Sequence, residues 1–167
     1  MVPYLFLYGT LKQGFPNASS LPLCLHAQFC GNASTEKPMR LVLSPQSAYS
    51  IPFLLPDEKH GSRTQVRGEV YFLAGLSKSE VDSTLKFLDE FEAVQNGLYD
   101  RVEIDVRLEN QESKSDVHKA WTYVRSYNDG PEWIREWNVS KLAKLEYFSE
   151  YSKEQSQLYV PRNQRNS

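Results

Sequence analysis

Residues 101–109, Arg-Val-Glu-Ile-Asp-Val-Arg-Leu-Glu, alternate apolar and charged side chains without a break. Successive side chains of a strand point to opposite faces, so Val102, Ile104, Val106 and Leu108 share one face while Glu103, Asp105, Arg107 and Glu109 share the other. No other stretch of the chain reads so cleanly as a half-buried strand. A polar, hairpin-like segment over 110–119 leads into Ala120–Val124, a second strand that carries Trp121 and Tyr123 and gives the sheet a neighbour.

Working outward, Val66–Phe72 alternates more loosely, with Val66, Gly68, Val70 and Phe72 on one side and Arg67, Glu69 and Tyr71 on the other. Between the two strands, Ser77 and Glu80 have the spacing of a capping box, and Val81, Leu85 and Leu88 follow on one helical face. Together they predict a helix over 78–91. Tyr4–Tyr8 is a short apolar run that stops at Gly9-Thr10, as a buried first strand entering a tight turn would. Met39–Leu43 and Tyr49–Leu55 are further short apolar runs, and Pro52 confines the second to an edge or a bulge. Residues 13–37 show no periodicity and read as an irregular loop with a short helix, and 57–64 read as a polar connection.

After the turn-and-proline sequence Asn128-Asp129-Gly130-Pro131-Glu132, one or two helices are expected around Trp133, Ile134, Trp137, Leu142 and Leu145. Beyond Tyr151 the chain is polar, either a mobile tail or an extended strap. The organisation expected is one domain over 1–150 and a polar segment over 151–167. Short strands, hairpin-like links and few crossover helices argue for an α+β fold built on a mainly antiparallel sheet or barrel.

Composition narrows the function. The 167 residues are 40% hydrophobic and 24% charged with a net charge of −2, and the charges are interspersed, so no basic face suited to nucleic acid is expected. Met1–Tyr8 is too short and lacks the basic leader of a signal peptide, and no membrane segment is seen, which points to the cytosol. Cys24 and Cys30 are expected as buried thiols, and the sequons at Asn17, Asn32 and Asn138 as chance.

No Walker loop, GxGxxG, HExxH or GxSxG pattern occurs, and His26, His60 and His118 are scattered. No metal and no cofactor are expected. Carboxylate acid/base chemistry remains. Within Asp89-Glu90-Phe91-Glu92, Glu92 follows Val81, Leu85 and Leu88 at spacings of four, three and four, which puts it on the apolar stripe, while Asp89 continues the solvated row of Asp82 and Lys86. Either Glu92 faces inward with a raised pKa, from desolvation and the negative end of the helix, or the helix frays there and the carboxylate faces water. The second feature is Tyr8-Gly9-Thr10-Leu11-Lys12, where a strand ends in Gly. It is an ordinary turn or a row of free amides able to hold a carboxylate or oxyanion.

Leu5–Lys12 followed by Gly14 and Asn17, then Ile51–Leu55, Gly68–Tyr71, Leu88–Glu92, Tyr99 with Arg101, and Tyr159–Arg162 occur in this order along nearly the whole chain. This series resembles the gamma-glutamylcyclotransferase family, most closely its gamma-glutamylamine cyclotransferase branch and the plant avirulence-induced group. The resemblance implies a small β-barrel flanked by helices. It also implies Glu92 as the catalytic acid/base, Tyr8, Gly9, Thr10 and Leu11 as the loop that binds the glutamyl group, and a small γ-glutamyl compound as the partner of a monomeric enzyme. The alternative is a catalytically weak relative that binds such a metabolite or takes part in a stress response. Ala93–Leu98 is expected to border the leaving-group side, and Tyr99 and Arg101 either line the site or serve the strand.

Overall fold

The computed structural model describes residues 2, 4–20, 27–56, 64–73, 77–110 and 116–165. The polar connection expected over 57–64 falls almost wholly outside these residues, as do 111–115 of the hairpin turn, Cys24, His26 and His60.

The first strand, β1 (Tyr4–Leu7), is buried on both faces through Leu5, Phe6 and Leu7, which explains a run of apolar residues where a one-sided strand would alternate. It pairs antiparallel with β5 (Arg67–Phe72), placing Phe6 opposite Val70. On its other side it runs parallel to β7 (Val117–Arg125), Tyr4 opposite Ala120. β7 forms a long antiparallel hairpin with β6 (Tyr99–Leu108), from Tyr99 opposite Arg125 to Arg107 opposite Val117. One more strand, β2 (Gln28–Thr35), bridges β5 and β6, so the order β1-β5-β2-β6-β7 closes on itself. The protein is thus an α+β fold with a closed, mainly antiparallel barrel flanked by helices.

β2 corrects the reading of 13–37 as a loop with a short helix. Four of its residues are largely in solvent, Ala33 and Thr35 alone are buried, and a bulge at Gly31 (φ 144°) shifts the register between Phe29 and Gly31. With so little burial there is no apolar alternation to read, and backbone pairing carries the strand. Cys30 lies on this strand and is exposed, so the buried-thiol expectation fails for it.

Beside the barrel, β3 (Leu41–Leu43) is flanked by β4 (Pro52–Leu54) and by the two-residue β8 (Tyr147–Phe148). β4 is an edge strand, which is where Pro52, lacking an amide proton, can sit. Helix α1 spans Lys78–Phe91, capped reciprocally by Ser77 and Glu80. Its Val81 and Leu85 pack on Leu73 and Trp121, and Leu88 is fully buried, each such side chain contributing roughly 1.5–3 kcal/mol relative to exposure. After Pro131 come a single 3-10 turn (Glu132–Ile134) and the short α2 (Val139–Leu142), both tied down by buried Ile134, Val139 and Leu142.

Residues 151–165, which include α3 (Lys153–Ser156), are a strap. Tyr151 and Tyr159 are buried, Lys12 Nζ donates to the Tyr151 carbonyl (2.9 Å), and Val160 N–H donates to Tyr49 O (3.2 Å).

Candidate active site

The chain leaves β1 through a turn closed by Lys12 N–H donating to Gly9 O (3.2 Å). The amides of the two central residues of such a turn point away from its own hydrogen bond, and those of Thr10 and Leu11 donate to no group among the described residues. At Gly9 a Cβ would stand 3.1 Å from Pro52 Cγ, so a side chain there would push β4 away from the turn. Asn17 braces the far side: its N–H donates to Thr10 O (2.8 Å), and its side-chain amide donates to Thr10 Oγ1 and the Tyr159 hydroxyl, both at 2.9 Å.

Glu92 is the C-cap of α1, its N–H donating to Leu88 O (2.8 Å). The helix ends on this residue because Ala93 turns left-handed (φ 51°). The end of the helix does not free the carboxylate into bulk water. Glu92 stays one turn beyond Leu88 on the buried side, half-buried at the wall of a pocket that also contains the turn. Desolvation pushes its pKa from 4.5 up to about 7, against the pull of the Arg162 charge. Burial is therefore the leading cause. Asp89, expected on a solvated face, instead accepts from the Tyr123 hydroxyl (2.8 Å) and pairs with Arg101 Nε (3.5 Å).

The pocket holds about 550 Å³ of empty space counted out to its mouth. Tyr8, Gly9, Thr10, Leu11 and Glu92 all line it. The Tyr8 hydroxyl donates to Tyr123 O (2.7 Å) and accepts from Leu54 N–H (3.3 Å), stitching the end of β1 to β7 and β4, and Tyr99 donates to Pro52 O (3.0 Å). Burial holds the phenols of Tyr8, Tyr99 and Tyr123 well above the ordinary value, with the Glu92 charge adding to the effect. All three stay neutral near pH 7, which leaves Glu92 as the pocket group able to exchange a proton there.

Of the Ala93–Leu98 segment, only Leu98 lines the pocket; Tyr99 lines it, whereas Arg101 turns away to Asp89 and the Trp121 ring. The strap adds Tyr159, Arg162 and Arg165. Tyr159 and Arg162 fall in a stretch picked out by resemblance, but Arg165 had no signal, because a cation seated among aromatic rings leaves no periodic trace. Among the described residues, no group of three or more His, Cys, Asp or Glu is placed to hold a metal ion, and no helix is long and apolar enough to cross a membrane.

A model of the family described as gamma-glutamyl cyclotransferase, AIG2-like, matches residues 5–138, a span that holds the turn, Glu92 and all of the barrel but Tyr4. The chain belongs to this family. It is 36% identical to gamma-glutamylaminecyclotransferase A of Danio rerio over 132 residues, covering 77% of this chain and 72% of that protein. It is 38% identical over 134 residues to the gamma-glutamylaminecyclotransferase of Bos taurus, covering 77% and 68%. The crystal structure of an AIG2-like protein from Mus musculus superposes with a TM-score of 0.71 at 29% identity, over 98% of both chains. As a member of the gamma-glutamyl cyclotransferase family the chain is a cyclotransferase-type enzyme. The family match ends at Asn138, short of the strap, while the likeness to the mouse fold extends over it.

Proposed function

We propose that the protein converts a γ-glutamylamine or γ-glutamyl amino acid into 5-oxoproline and a free amine, with Glu92 as the acid/base and the Tyr8–Leu11 turn as the glutamyl site. The observation that carries this reading is that a carboxyl whose pKa burial raises to about 7 shares one pocket with two amides that lack partners among the described residues. The substrate's own α-amine is the nucleophile. Its nitrogen adds to the γ-carbonyl, giving a five-membered ring and an oxyanion, and collapse breaks the bond to the departing nitrogen. Glu92 takes the proton that the α-ammonium must lose and returns one to the leaving nitrogen, so the enzyme ends each cycle as it began.

An α-ammonium titrates near roughly 8 and Glu92 at about 7, so the transfer between them is close to balanced, whereas an ordinary carboxylate would face a gap of more than three units. Holding the glutamyl chain curled supplies the proximity term, which can reach on the order of 7 kcal/mol in well-oriented intramolecular reactions. The amides of Thr10 and Leu11 stabilise the oxyanion or fix the α-carboxylate. Nothing in this sequence of steps calls for a nucleophilic side chain.

The test is 5-oxoproline release from γ-glutamyl-ε-lysine, γ-glutamyl-alanine and glutathione by the wild type beside Glu92→Gln. Loss of about a hundredfold or more in kcat, with the variant still folded, is expected for removal of the acid/base. Equal turnover by both proteins would remove Glu92 from the chemistry. No release from any compound would favour a metabolite-binding role.

A further inference from the structure

Two guanidinium groups of the strap, those of Arg162 and Arg165, line the pocket that holds Glu92. Arg165 is fixed in place. Its Nε donates to Val160 O (2.9 Å) and its Nη2 to the Tyr159 hydroxyl (3.1 Å), and its guanidinium carbon stands 5.0, 5.3 and 5.4 Å from the ring centres of Tyr49, Trp133 and Tyr159. Those hydrogen bonds engage two donor atoms; Nη1 donates to no described group, and no described carboxylate pairs with the residue. Arg162 lies 4.2 Å over the Phe91 ring and likewise forms no ion pair among the described residues. It is exposed while lining the pocket, which places it at the mouth.

Burying a guanidinium without an anion is costly, and burial does weaken Arg165's hold on its proton. The two cations share the pocket with one carboxyl, Glu92, whose burial-raised pKa the Arg162 charge already opposes, so positive charge is left over for an incoming carboxylate. The orientation of substrate says which one. The glutamyl part must reach the half-buried Glu92 and the turn that ends in buried Leu11, so the departing group points outward, to Arg162.

We propose that Arg162 and Arg165 form a carboxylate subsite for the leaving amine, so that the enzyme favours γ-glutamyl donors that release an amino acid over those that release a neutral or cationic amine. This rests on the cyclotransferase reading above. A planar guanidinium fork matches a carboxylate bidentately, and the rings behind Arg165 keep that fork oriented before substrate arrives. Arg162 adds charge at the entrance.

The experiment compares kcat/KM for γ-glutamyl-alanine and γ-glutamyl-alaninamide, which differ by the leaving-group carboxylate alone, in the wild type, Arg162→Gln, Arg162→Glu and Arg165→Lys. The wild type is expected to prefer the acid. Arg162→Gln lowers the acid-to-amide ratio about tenfold, the size of one charge-assisted contact, and Arg162→Glu reverses the preference. Arg165→Lys, which keeps the charge and loses the fork, gives an intermediate ratio. Should that variant not fold, the two substitutions at the exposed Arg162 still decide. A wild-type ratio near one, or variants that slow both compounds equally, would overturn the subsite and assign the arginines to the glutamyl carboxylate or to seating the strap. If the wild type released 5-oxoproline from γ-glutamyl-ε-lysine but from neither of these two compounds, the subsite would fall while the reaction stood; release from none of the three would overturn the reaction itself.

Discussion

A carboxyl that titrates at about 7 when folded and near 4.5 in its ordinary state binds more protons in the folded chain throughout that interval. Stability must therefore fall as pH rises from 4.5 to 7 and level off above, so far as Glu92 is concerned. Replacing it with Gln removes the penalty. Glu92→Gln is expected to match the wild type in urea unfolding at pH 4 and to exceed it at pH 8, by on the order of 1–3 kcal/mol. A gap of equal size at both pH values would mean that the residue is not desolvated. The position of Glu92 was legible from helical spacing, since it is the next slot after Leu88. Its surroundings were not. Tyr8, Tyr99 and Tyr159, which line the pocket with it, lie far away along the chain and carry no spacing that points to it. Asp89 shows the same limit from the other side, since its partners Tyr123 and Arg101 come from strands that local composition cannot place next to a helix.

Elements whose ends are set by local chemistry could be read from the sequence, and those defined by partners could not. Helix α1 begins where Ser77 and Glu80 cap it and runs to Phe91, as its spacing predicts. That cap is worth about 1 kcal/mol, so Ser77→Ala should lower the unfolding free energy by roughly that amount. Because the cap stands at the opposite end of the helix from Glu92, kcat/KM should change little; a large loss of activity in a protein of near-normal stability would contradict this. β6 was legible because one face is apolar, and β4 because Pro52 marks an edge. β2 was invisible for the converse reason: an exposed, bulged strand is held by its ladders to β5 and β6, and backbone pairing is silent about side-chain type.

At the scale of the molecule, the barrel depends on a buried cation that no pattern announced. Arg125, fully buried at the end of β7, directs its guanidinium at the carbonyls of Gly97, Leu98, Ser126, Asn128 and Asp129, and so ties the loop before β6 to the loop after β7. Arg125→Met leaves those acceptors unsatisfied and is expected to destabilise the fold by about 3–5 kcal/mol, measured by thermal or urea unfolding. Arg125→Lys should recover only part of this, since an ammonium cannot span carbonyls on two loops. A near-neutral Arg125→Met would show that water replaces the network. The site itself joins distant parts of the chain, with the turn at 9–12 braced through Asn17 to Tyr159, Lys12 anchored to Tyr151, and β1 closed against β7. On the ribosome, the turn is made before Glu92, and Tyr159, Arg162 and Arg165 emerge after everything they act on. A nascent chain therefore has no finished pocket to offer until synthesis has carried the strap clear of the exit tunnel.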